Sequence, residues 1–314
     1  MLTARPVEAA RPIADRDDEN TATVDLAGHD IPVLQGGLFQ RFGSNTPLSV
    51  VEAERPDIDI SWFKGIAKEK KEVGFTTYSP NFYYDNSSIT AIYTADMASI
   101  ERLIPQEVRE VVQPISFAPG KGLVAITSYA YHYCDNDSYN ELSISVVTTR
   151  PGQGNWGLIS LMGQLNDQSL WGYVLKLPVD TELARVRGVV GYNLPKWKIP
   201  IDYSAEGETV AFTYYDEAGD VDFSMIGKKL DTTGATPAVS RMNFVNLDAR
   251  GRVTHGFSDV RAVERASSRA GGDVQLALTD GPLSSFIRSL GLEKLVRYDY
   301  QPVFQAALYT PEPL

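Results

Sequence analysis

The sequence is poor in the residues from which most catalytic centres are built. Its 314 residues include one cysteine, Cys134, and three histidines, His29, His132 and His255. A single cysteine excludes an intrachain disulfide and a cysteine-rich zinc site. No two histidines stand at the His-x-x-x-His spacing that would aim two imidazoles at one ion. No Gly-x-Ser-x-Gly elbow and no Walker loop occurs. Nothing in the chain therefore calls for a metal or an organic cofactor. Long apolar runs are missing too: none approaches the roughly 18 residues of a membrane span. The first thirty residues mix Arg, Asp and Glu and lack the apolar centre of a signal peptide. These absences predict a cytoplasmic protein.

Positive charge is scarce. The chain has 29 basic against 40 acidic residues, a formal net charge of −11. Its densest basic run, Lys68-Glu69-Lys70-Lys71, is broken by an acid and reads as a solvated face. No cluster suits a phosphate backbone, so nucleic acid is not an expected partner. Hydrophobic residues make up 43% and charged residues 22%, ordinary values for a globular protein. The length allows one large domain or two modest ones with a real core.

The texture divides the chain. Residues 1–30 are rich in Ala, Arg, Asp, Glu and Thr without apolar periodicity, and read as a flexible arm. The remainder, 31–314, reads as one domain: an irregular cover over 31–84 and a core over 85–310. The cover carries scattered aromatics and one short helix near 61–72. In the core, short segments rich in β-branched and aromatic residues recur between Gly, Asn and Asp turns. They are Ile89–Tyr93, Leu123–Tyr133, Glu141–Thr149, Trp156–Met162, Trp171–Leu177, Val210–Tyr215, Val221–Ile226, Ser240–Leu247 and Val274–Leu278. Such spacing predicts an antiparallel sheet or barrel rather than βαβ units. Helices are expected over Met97–Leu103, which Pro105 ends, over Asp180–Val190, and around Leu283, Phe286, Ile287 and Leu290, with Gly291 closing the last. A final strand falls within Leu295–Leu308. The class is α+β, mainly β.

Several chemical leads are weak. Gly152-Gln-Gly154-Asn-Trp-Gly157 matches a dinucleotide fingerprint, but the segment behind it reads as a strand, so a turn is the better reading. Asp135 and Asp137 are placed to bind a cation or, more simply, to make a turn. His132, on the alternating strand Tyr-Ala-Tyr-His-Tyr-Cys, reads as a structural histidine or as one that faces a substrate. Cys134 has no basic neighbour in sequence to activate it.

Lys196 remains. A lysine becomes a nucleophile when desolvation or a nearby positive charge favours its free amine. The amine then converts a ketone to an iminium, which draws electrons from the adjacent carbon. Leu194, Pro195, Trp197 and Ile199 give Lys196 apolar neighbours, and Pro195 fixes the backbone leading into it. A lysine that buries its stem and keeps its head in water would carry the same neighbours.

The pattern around Lys196 resembles the acetoacetate decarboxylase family. Leu194-Pro195-Lys196 is similar to the Pro-Lys motif whose lysine forms the Schiff base. Asp180-Thr-Glu182-Leu-Ala184 resembles the family's approach to that lysine. Tyr139-Asn140-Glu141 resembles its Tyr-x-Glu motif, whose glutamate lies in the active site. Ile92-Tyr93-Thr-Ala-Asp96-Met97 with Leu103-Ile-Pro105, and Ile199-Pro-Ile-Asp202, resemble the early strand and helix and the strand after the lysine. The matches keep their order over roughly residues 85–310. The resemblance implies an antiparallel β-barrel or cone with flanking helices and a pocket inside. It implies catalytic roles for Lys196, as the iminium-forming amine, and for Glu141, as acid/base or orienting group. Tyr139, Tyr192, Trp197 and His132 are candidate substrate contacts. Tyr139 and Tyr192 also fit as barrel aromatics, and Trp156, Trp171 and Trp197 as core.

The resemblance fails in specific places. The family's second lysine, directly after the nucleophile, is Trp197 here. Its arginine near the early strand has no counterpart in Tyr84-Asp85-Asn86-Ser87-Ser88. Its second glutamate is missing from Ala125–Tyr129. Its Gly-Arg-Glu before the lysine is Gly188-Val189-Val190. Loss of the arginine removes a charge-assisted contact worth roughly 1.5–3 kcal/mol to a small β-keto acid. Lys198 is a candidate replacement, since alternate residues of a strand share a face. The expectation is a divergent lyase, poor on acetoacetate, that acts on a bulkier keto substrate by aldol or retro-aldol cleavage, dehydration or decarboxylation, of the kind found in specialised metabolism. Two alternatives stand beside it: a non-covalent cyclase or isomerase folding a polyketide-like chain, and a non-catalytic binder of small ligands. A homo-oligomer is compatible with the acidic surface and long arm.

Overall fold

The computed structural model describes residues 21–314. Residues 1–20 of the expected arm lie outside the described residues. From Thr21 on the expectation of an arm fails: β1 (Thr21–Leu26) and β2 (His29–Leu34) form an antiparallel hairpin. Ala27 and Gly28 turn it with positive φ, 57° and 76°. Such a turn matches the twist of the flanking strands. Leu26, Ile31 and Val33 supply one apolar face, and it packs on Phe39, Phe75, Leu183 and Val186.

The expected irregular cover is also more regular than its Gly and Pro content suggests. It holds α1 (Leu38–Phe42), α2 (Leu48–Glu54), a 3₁₀ turn at Phe63–Gly65, and the hairpin of β3 (Glu69–Glu72) and β4 (Thr76–Ser79). The helix expected at 61–72 is therefore only that turn and the start of a strand, because the backbone becomes extended at Ile66. Leu38, Val51, Ile60 and Phe63 seat this layer on Phe82, Tyr84 and Ala307.

The core begins with β5 (Asn81–Asp96), α3 (Met97–Leu103) and α4 (Gln106–Arg109). Asp96 caps α3 by accepting the Ser99 N–H at 2.8 Å, as the polar residue before the apolar periodicity leads one to expect. Then come β6 (Lys121–Cys134), β7 (Tyr139–Val147), α5 (Leu158–Asn166), β8 (Ser169–Lys176) and α6 (Glu182–Val186), which runs into a π-turn at Arg187–Gly191. The rest is β9 (Ile201–Ser204), β10 (Thr209–Tyr215), β11 (Val221–Lys228), β12 (Ala238–Leu247), β13 (Val253–Ser268), β14 (Val274–Leu278), α7 (Pro282–Ser289) and β15 (Leu295–Pro313).

Seven strands close a barrel in the order β12-β13-β15-β5-β6-β7-β8. Every neighbouring pair is antiparallel except β12–β8, which is parallel and makes the closure. A second sheet, β14-β11-β10-β9, lies outside it. The two faces of β6 and β7 read directly from the period of two. Ile126, Leu142, Ile144 and Val146 point outward and join Phe212, Tyr214, Phe223 and Met225 of the second sheet in the main core. Tyr129, Tyr131 and Glu141 point inward. The interior cluster draws Tyr83, Tyr139, Val260, Phe304 and Ala306 from β5, β7, β13 and β15.

Two expectations are corrected in the core. Trp156–Met162 is not a strand but the start of α5, because its apolar residues are read at helical rather than alternating spacing. A helix thus does follow Gly152–Gly157, yet β7 and β8 on either side of it are antiparallel, which excludes a dinucleotide-binding βαβ unit. The 16-residue β13, absent from the expected strands, pairs along almost all of β15. Its polar residues, such as Asp259 and Arg261, hide it from a pattern based on apolar alternation. Among the described residues no helix is long and apolar enough to cross a membrane, and no cluster of metal-binding side chains occurs.

Asp137 shows how the cover is fastened. It takes φ 59° in the turn between β6 and β7, and its carboxylate accepts the Phe39 N–H of α1 at 3.3 Å. Any side chain at Gly37 would collide with that carboxylate, its Cβ lying 2.5 Å from Oδ1. Burial lifts the Asp137 carboxyl to about 6. Between the ordinary carboxylate value and about 6, the folded chain holds a proton that the unfolded chain releases, so this group subtracts stability as pH rises through that window. Asp137→Asn should therefore stabilise the protein more at pH 7 than at pH 4 in paired urea titrations. In the outer sheet, Phe212 is fully buried and packs on Tyr203 with ring centres 5.0 Å apart. Phe212→Ala should cost about 3–5 kcal/mol in the same assay.

Candidate active site

Lys196 and Glu141 meet inside the barrel. The Lys196 Nζ lies 2.6 Å from Glu141 Oε2, and their side chains are only 6% and 8% exposed. Fifty-five residues separate them in sequence, so the backbone must bring them together. It does so through Val179. Val179 bridges Glu141 of β7 on one side and Lys198 on the other. Its N–H donates to the Trp197 carbonyl at 3.0 Å, and its carbonyl accepts the Ile199 N–H at 2.9 Å. The lysine segment is thereby held against Val179, which in turn lies beside Glu141 of β7.

The approach to Lys196 is built from glycine and proline geometry. The π-turn ends at Tyr192, Asn193 takes φ 56°, and the Leu194 N–H returns to the Gly188 carbonyl at 3.0 Å. A three-residue turn across Pro195 follows, closed by the Lys196 N–H on the Leu194 carbonyl at 2.8 Å. Gly188 then serves as the floor for the lysine stem. A Cβ there would stand 2.3 Å from Lys196 Cδ and 2.7 Å from Cε. The cover presses on the same turn: a Cβ at Gly191 would meet the Phe75 ring at 2.9 Å. Next to Gly188, the buried Arg187 donates to Asn81 Oδ1 at 2.8 Å and to Thr77 Oγ1 at 3.0 Å. That pins the turn to β4 and β5.

A shell of tyrosines surrounds the pair. Tyr131 donates to Glu141 Oε1 at 3.2 Å. The Lys196 ammonium lies 5.6 Å from the centre of the Tyr139 ring, within the range of cation–π attraction. The Tyr139 and Tyr83 hydroxyls are 3.1 Å apart, and Tyr129 stacks on Tyr131 at 5.5 Å. Burial pushes the hydroxyls of Tyr83, Tyr131 and Tyr139 far up, and the negative charge of Glu141 adds to this at all three. They remain neutral hydrogen-bond donors at any pH the protein meets.

The other expected site residues divide. Tyr139 touches the pair directly. Tyr192 is buried beside it in sequence, packs with Val174, Leu177 and Leu194, and keeps a buried hydroxyl without a hydrogen-bond partner among the described residues. Trp197 turns the other way: it packs on the outer core, and the Lys176 ammonium stands 5.5 Å from its ring centre. His132 is not brought to Lys196. Asn86 pairs with Tyr131 and Asp85 with Tyr133, which leaves His132 as the extra residue of a β-bulge. There it bonds Ser87 Oγ at 2.9 Å and packs on Tyr203, and burial lowers its pKa. Lys198 is exposed and acts electrostatically on Glu182. Asp135 is not part of a cation site: it accepts from Lys68, Tyr84 and the Phe82 N–H. Near the stretch that lacks the family arginine, Arg55 comes in from the cover, but Asp57 and Asp85 bind it.

Residues that sequence reasoning missed are Tyr83, Tyr131, Arg187 and Gly188. The alternation of Tyr129 and Tyr131 was a signal available for one of them; Gly188 stood in plain view without its reason. A surface cleft of about 390 Å³ between β14, α7 and Tyr93 contains none of these groups.

No family model matches the sequence, and no curated protein matches it. Solved structures do match in shape. One is an acetoacetate decarboxylase, with TM-score 0.53 and 15% identity over 75% of this chain and 89% of that one. Another is the acetoacetate decarboxylase of Legionella pneumophila, with TM-score 0.55 and 11% identity over 75% and 87%. A third is the enduracididine biosynthesis enzyme MppR complexed with pyruvate, with TM-score 0.52 and 14% identity over 75% and 90%. The expected fold class is borne out: this is the barrel of the acetoacetate decarboxylase-like proteins.

Gly188 has no positive φ, so alanine suits its backbone and only the lysine stem opposes it. Gly188→Ala should leave the fold intact and push Lys196 off Glu141. Amine-directed acylation followed by mass spectrometry would read this as much faster labelling of Lys196 in the variant than in the protected parent.

Proposed function

We propose that this chain, built on the fold of the acetoacetate decarboxylase-like proteins, is a lyase that acts on a keto substrate through an iminium at Lys196. The observation that carries the reading is the buried contact of Lys196 Nζ with Glu141 Oε2 at 2.6 Å. A protonated lysine has no lone pair to offer. Glu141 is the base within reach that takes its proton when the keto group adds. The freed amine adds to the keto carbon. The carbinolamine hydroxyl then leaves as water, with the proton returned by Glu141, and the iminium forms.

The positive nitrogen accepts the electron pair of a bond one carbon away. Loss of carbon dioxide or release of an aldehyde leaves an enamine at Lys196; in a dehydration, loss of an α-proton gives the enamine, which then expels the β-hydroxyl as water and leaves an unsaturated iminium that water hydrolyses. In the first two cases, protonation of the enamine carbon and hydrolysis restore the ketone and the amine. Tyr131 donates to Glu141 within this shell, Tyr139 shares a hydrogen bond with Tyr83, and the unpaired hydroxyl of Tyr192 is a further donor for a substrate oxygen. The substrate is larger and less charged than acetoacetate. Three features support that: Trp197 in place of a second lysine, an exposed Lys198, and an Arg55 that two carboxylates occupy. The tyrosine walls favour flat, apolar parts of a ligand over a carboxylate. The names of the similar structures, among them a decarboxylase and a pyruvate-bound biosynthetic enzyme, are in keeping with carbon–carbon chemistry on keto acids.

Borohydride reduction in the presence of β-keto and β-hydroxyketone compounds tests this. Mass spectrometry should find the substrate's carbon skeleton on Lys196, with acetoacetate a poor donor. Lys196→Ala should abolish both adduct and turnover, and Glu141→Gln should slow adduct formation by roughly 10²–10⁴-fold. Turnover that survives Lys196→Ala would leave a non-covalent cyclase or isomerase. Tight binding without any turnover would leave a ligand-binding protein.

A further inference from the structure

The barrel is more open on its inside than on its outside. On β5, β6 and β7 the outward residues Ile89, Ala91, Ile126, Ile144 and Val146 are fully buried in the main core. Their inward neighbours Thr90, Ala125, Tyr129, Ser143 and Ser145 are only half-buried. Solvent therefore reaches the lumen. Exposure is low at the covered end, where Lys196 and Glu141 lie, and rises away from them to 38% at Met242. A ligand on Lys196 extends along this lumen, because the cover closes the other side. Strand pairing sorts the lining into rows. Glu141 stands opposite Tyr129. One step up, about 7 Å along the strands, Ser143 stands opposite Thr127, Thr127 opposite Thr90, and Thr90 opposite Asp299. Asp299 faces inward with them, since Tyr298 and Tyr300 on either side of it join the main core. The row is polar across β15, β5, β6 and β7, where a packed core would be apolar.

The opposite wall differs. Leu170 of β8, Met242 and Phe244 of β12 and Val260 of β13 line it with hydrocarbon and an aromatic ring. The polar row, for its part, is not spent on itself. Ser143 Oγ and Ser145 Oγ are 2.7 Å apart, and Thr90 donates to Thr127 at 3.1 Å. A hydrogen bond between two hydroxyls uses one of their two protons, so the serine pair keeps a donor and free lone pairs for a ligand. Asp299, the charged member of the row, is neutralised by Arg297 at 2.6 Å, so the row does not call for a charged ligand. A polar wall facing an apolar one fits a chain with oxygens along one edge and hydrocarbon along the other. We propose, building on the keto chemistry assigned to Lys196, that the substrate is an extended, uncharged keto compound of this kind. Its keto end reaches Lys196, and Thr127 and Ser143 select it by hydrogen-bonding hydroxyl or carbonyl oxygens along its chain.

Acetone, undecan-2-one and the 6,8-dihydroxy derivative of undecan-2-one test this on the full chain. Ser145→Cys places a thiol in the lumen, about 13 Å above Glu141 along β7. Cys134 is buried, so iodoacetamide modifies the new thiol. The dihydroxy ketone should slow that modification at a roughly tenfold lower concentration than undecan-2-one, the worth of one or two hydrogen bonds. Acetone, too short to reach the thiol, should not slow it. Adding Ser143→Ala and Thr127→Val to the same chain should erase the preference for the dihydroxy ketone. Equal protection by the two long ketones, or protection by neither, would overturn the proposal. So would a preference that survives both added replacements. Thiol protection needs no iminium, and borohydride trapping of acetone on Lys196 tests the iminium alone. If acetone is not trapped while the protection pattern holds, the channel and its selectivity stand and the Schiff base falls.

Discussion

The buried ion pair of Lys196 with Glu141 sets the terms for the rest of the structure. An ammonium and a carboxylate taken out of water are worth holding only if geometry keeps them together, because removing either partner strands a charge at a cost of about 3–5 kcal/mol. The chain meets that requirement with backbone rather than side chains. Val179 is hydrogen-bonded to the lysine segment and bridges Glu141, so the spacing between the two is fixed by strand pairing. Gly188 gives the lysine stem its channel, and the cover closes on the same turn through Phe75, Thr77 and Asn81. The small hairpins before the barrel are therefore part of how the site is held.

A second buried pair, Lys68 with Asp135, shows what distinguishes the first. Lys68 lies 2.5 Å from Asp135 Oδ2 and also donates to the Ser44 carbonyl at 2.7 Å. Asp135 accepts from the Phe82 N–H and the Tyr84 hydroxyl as well. That pair is saturated, and it ties the cover to the start of β5. Burial lowers the Lys68 pKa, and the charge of Asp135 opposes that. Among the described residues, Lys196 has Glu141 as its side-chain hydrogen-bond partner, and the Glu141 carboxylate has Lys196 and Tyr131. The first pair thus has fewer of its hydrogen-bonding positions filled than the second.

The barrel serves this contrast by dividing its strands. Outward positions of β6 and β7 are aliphatic and pack against the second sheet, while inward positions carry tyrosines and Glu141. One strand thus contributes to the core with one set of residues and to the site with the next. Aromatic hydroxyls suit the inside: they fill volume as apolar rings yet leave donors that stay protonated beside a carboxylate. Helix α5 turns Gln164 inward, where its amide joins the end of β7 to the start of β8, and leaves several apolar residues outward.

Most of the barrel was legible in the sequence, since alternating β-branched and aromatic residues declare a strand locally. So were α3 and α7, which carry their apolar spacing and their stops within a few residues. The lysine and glutamate were legible through an ordered resemblance around Pro195-Lys196 and Tyr139-Asn140-Glu141. What the sequence alone could not decide was anything set by a neighbour far along the chain. Strand β13 is polar enough to hide and forms because β12 and β15 pair with it along its length. The stretch 156–162 is short and apolar enough to pass for a strand, and its helical spacing shows only when it is followed on to Leu165. His132 follows Tyr131 on an alternating strand, so it faces the second sheet, where it packs on Tyr203. Sequence determined which residues have the chemistry; tertiary structure decided which of them meet, because the contacts that bring Lys196 to Glu141 are backbone pairings between segments dozens of residues apart.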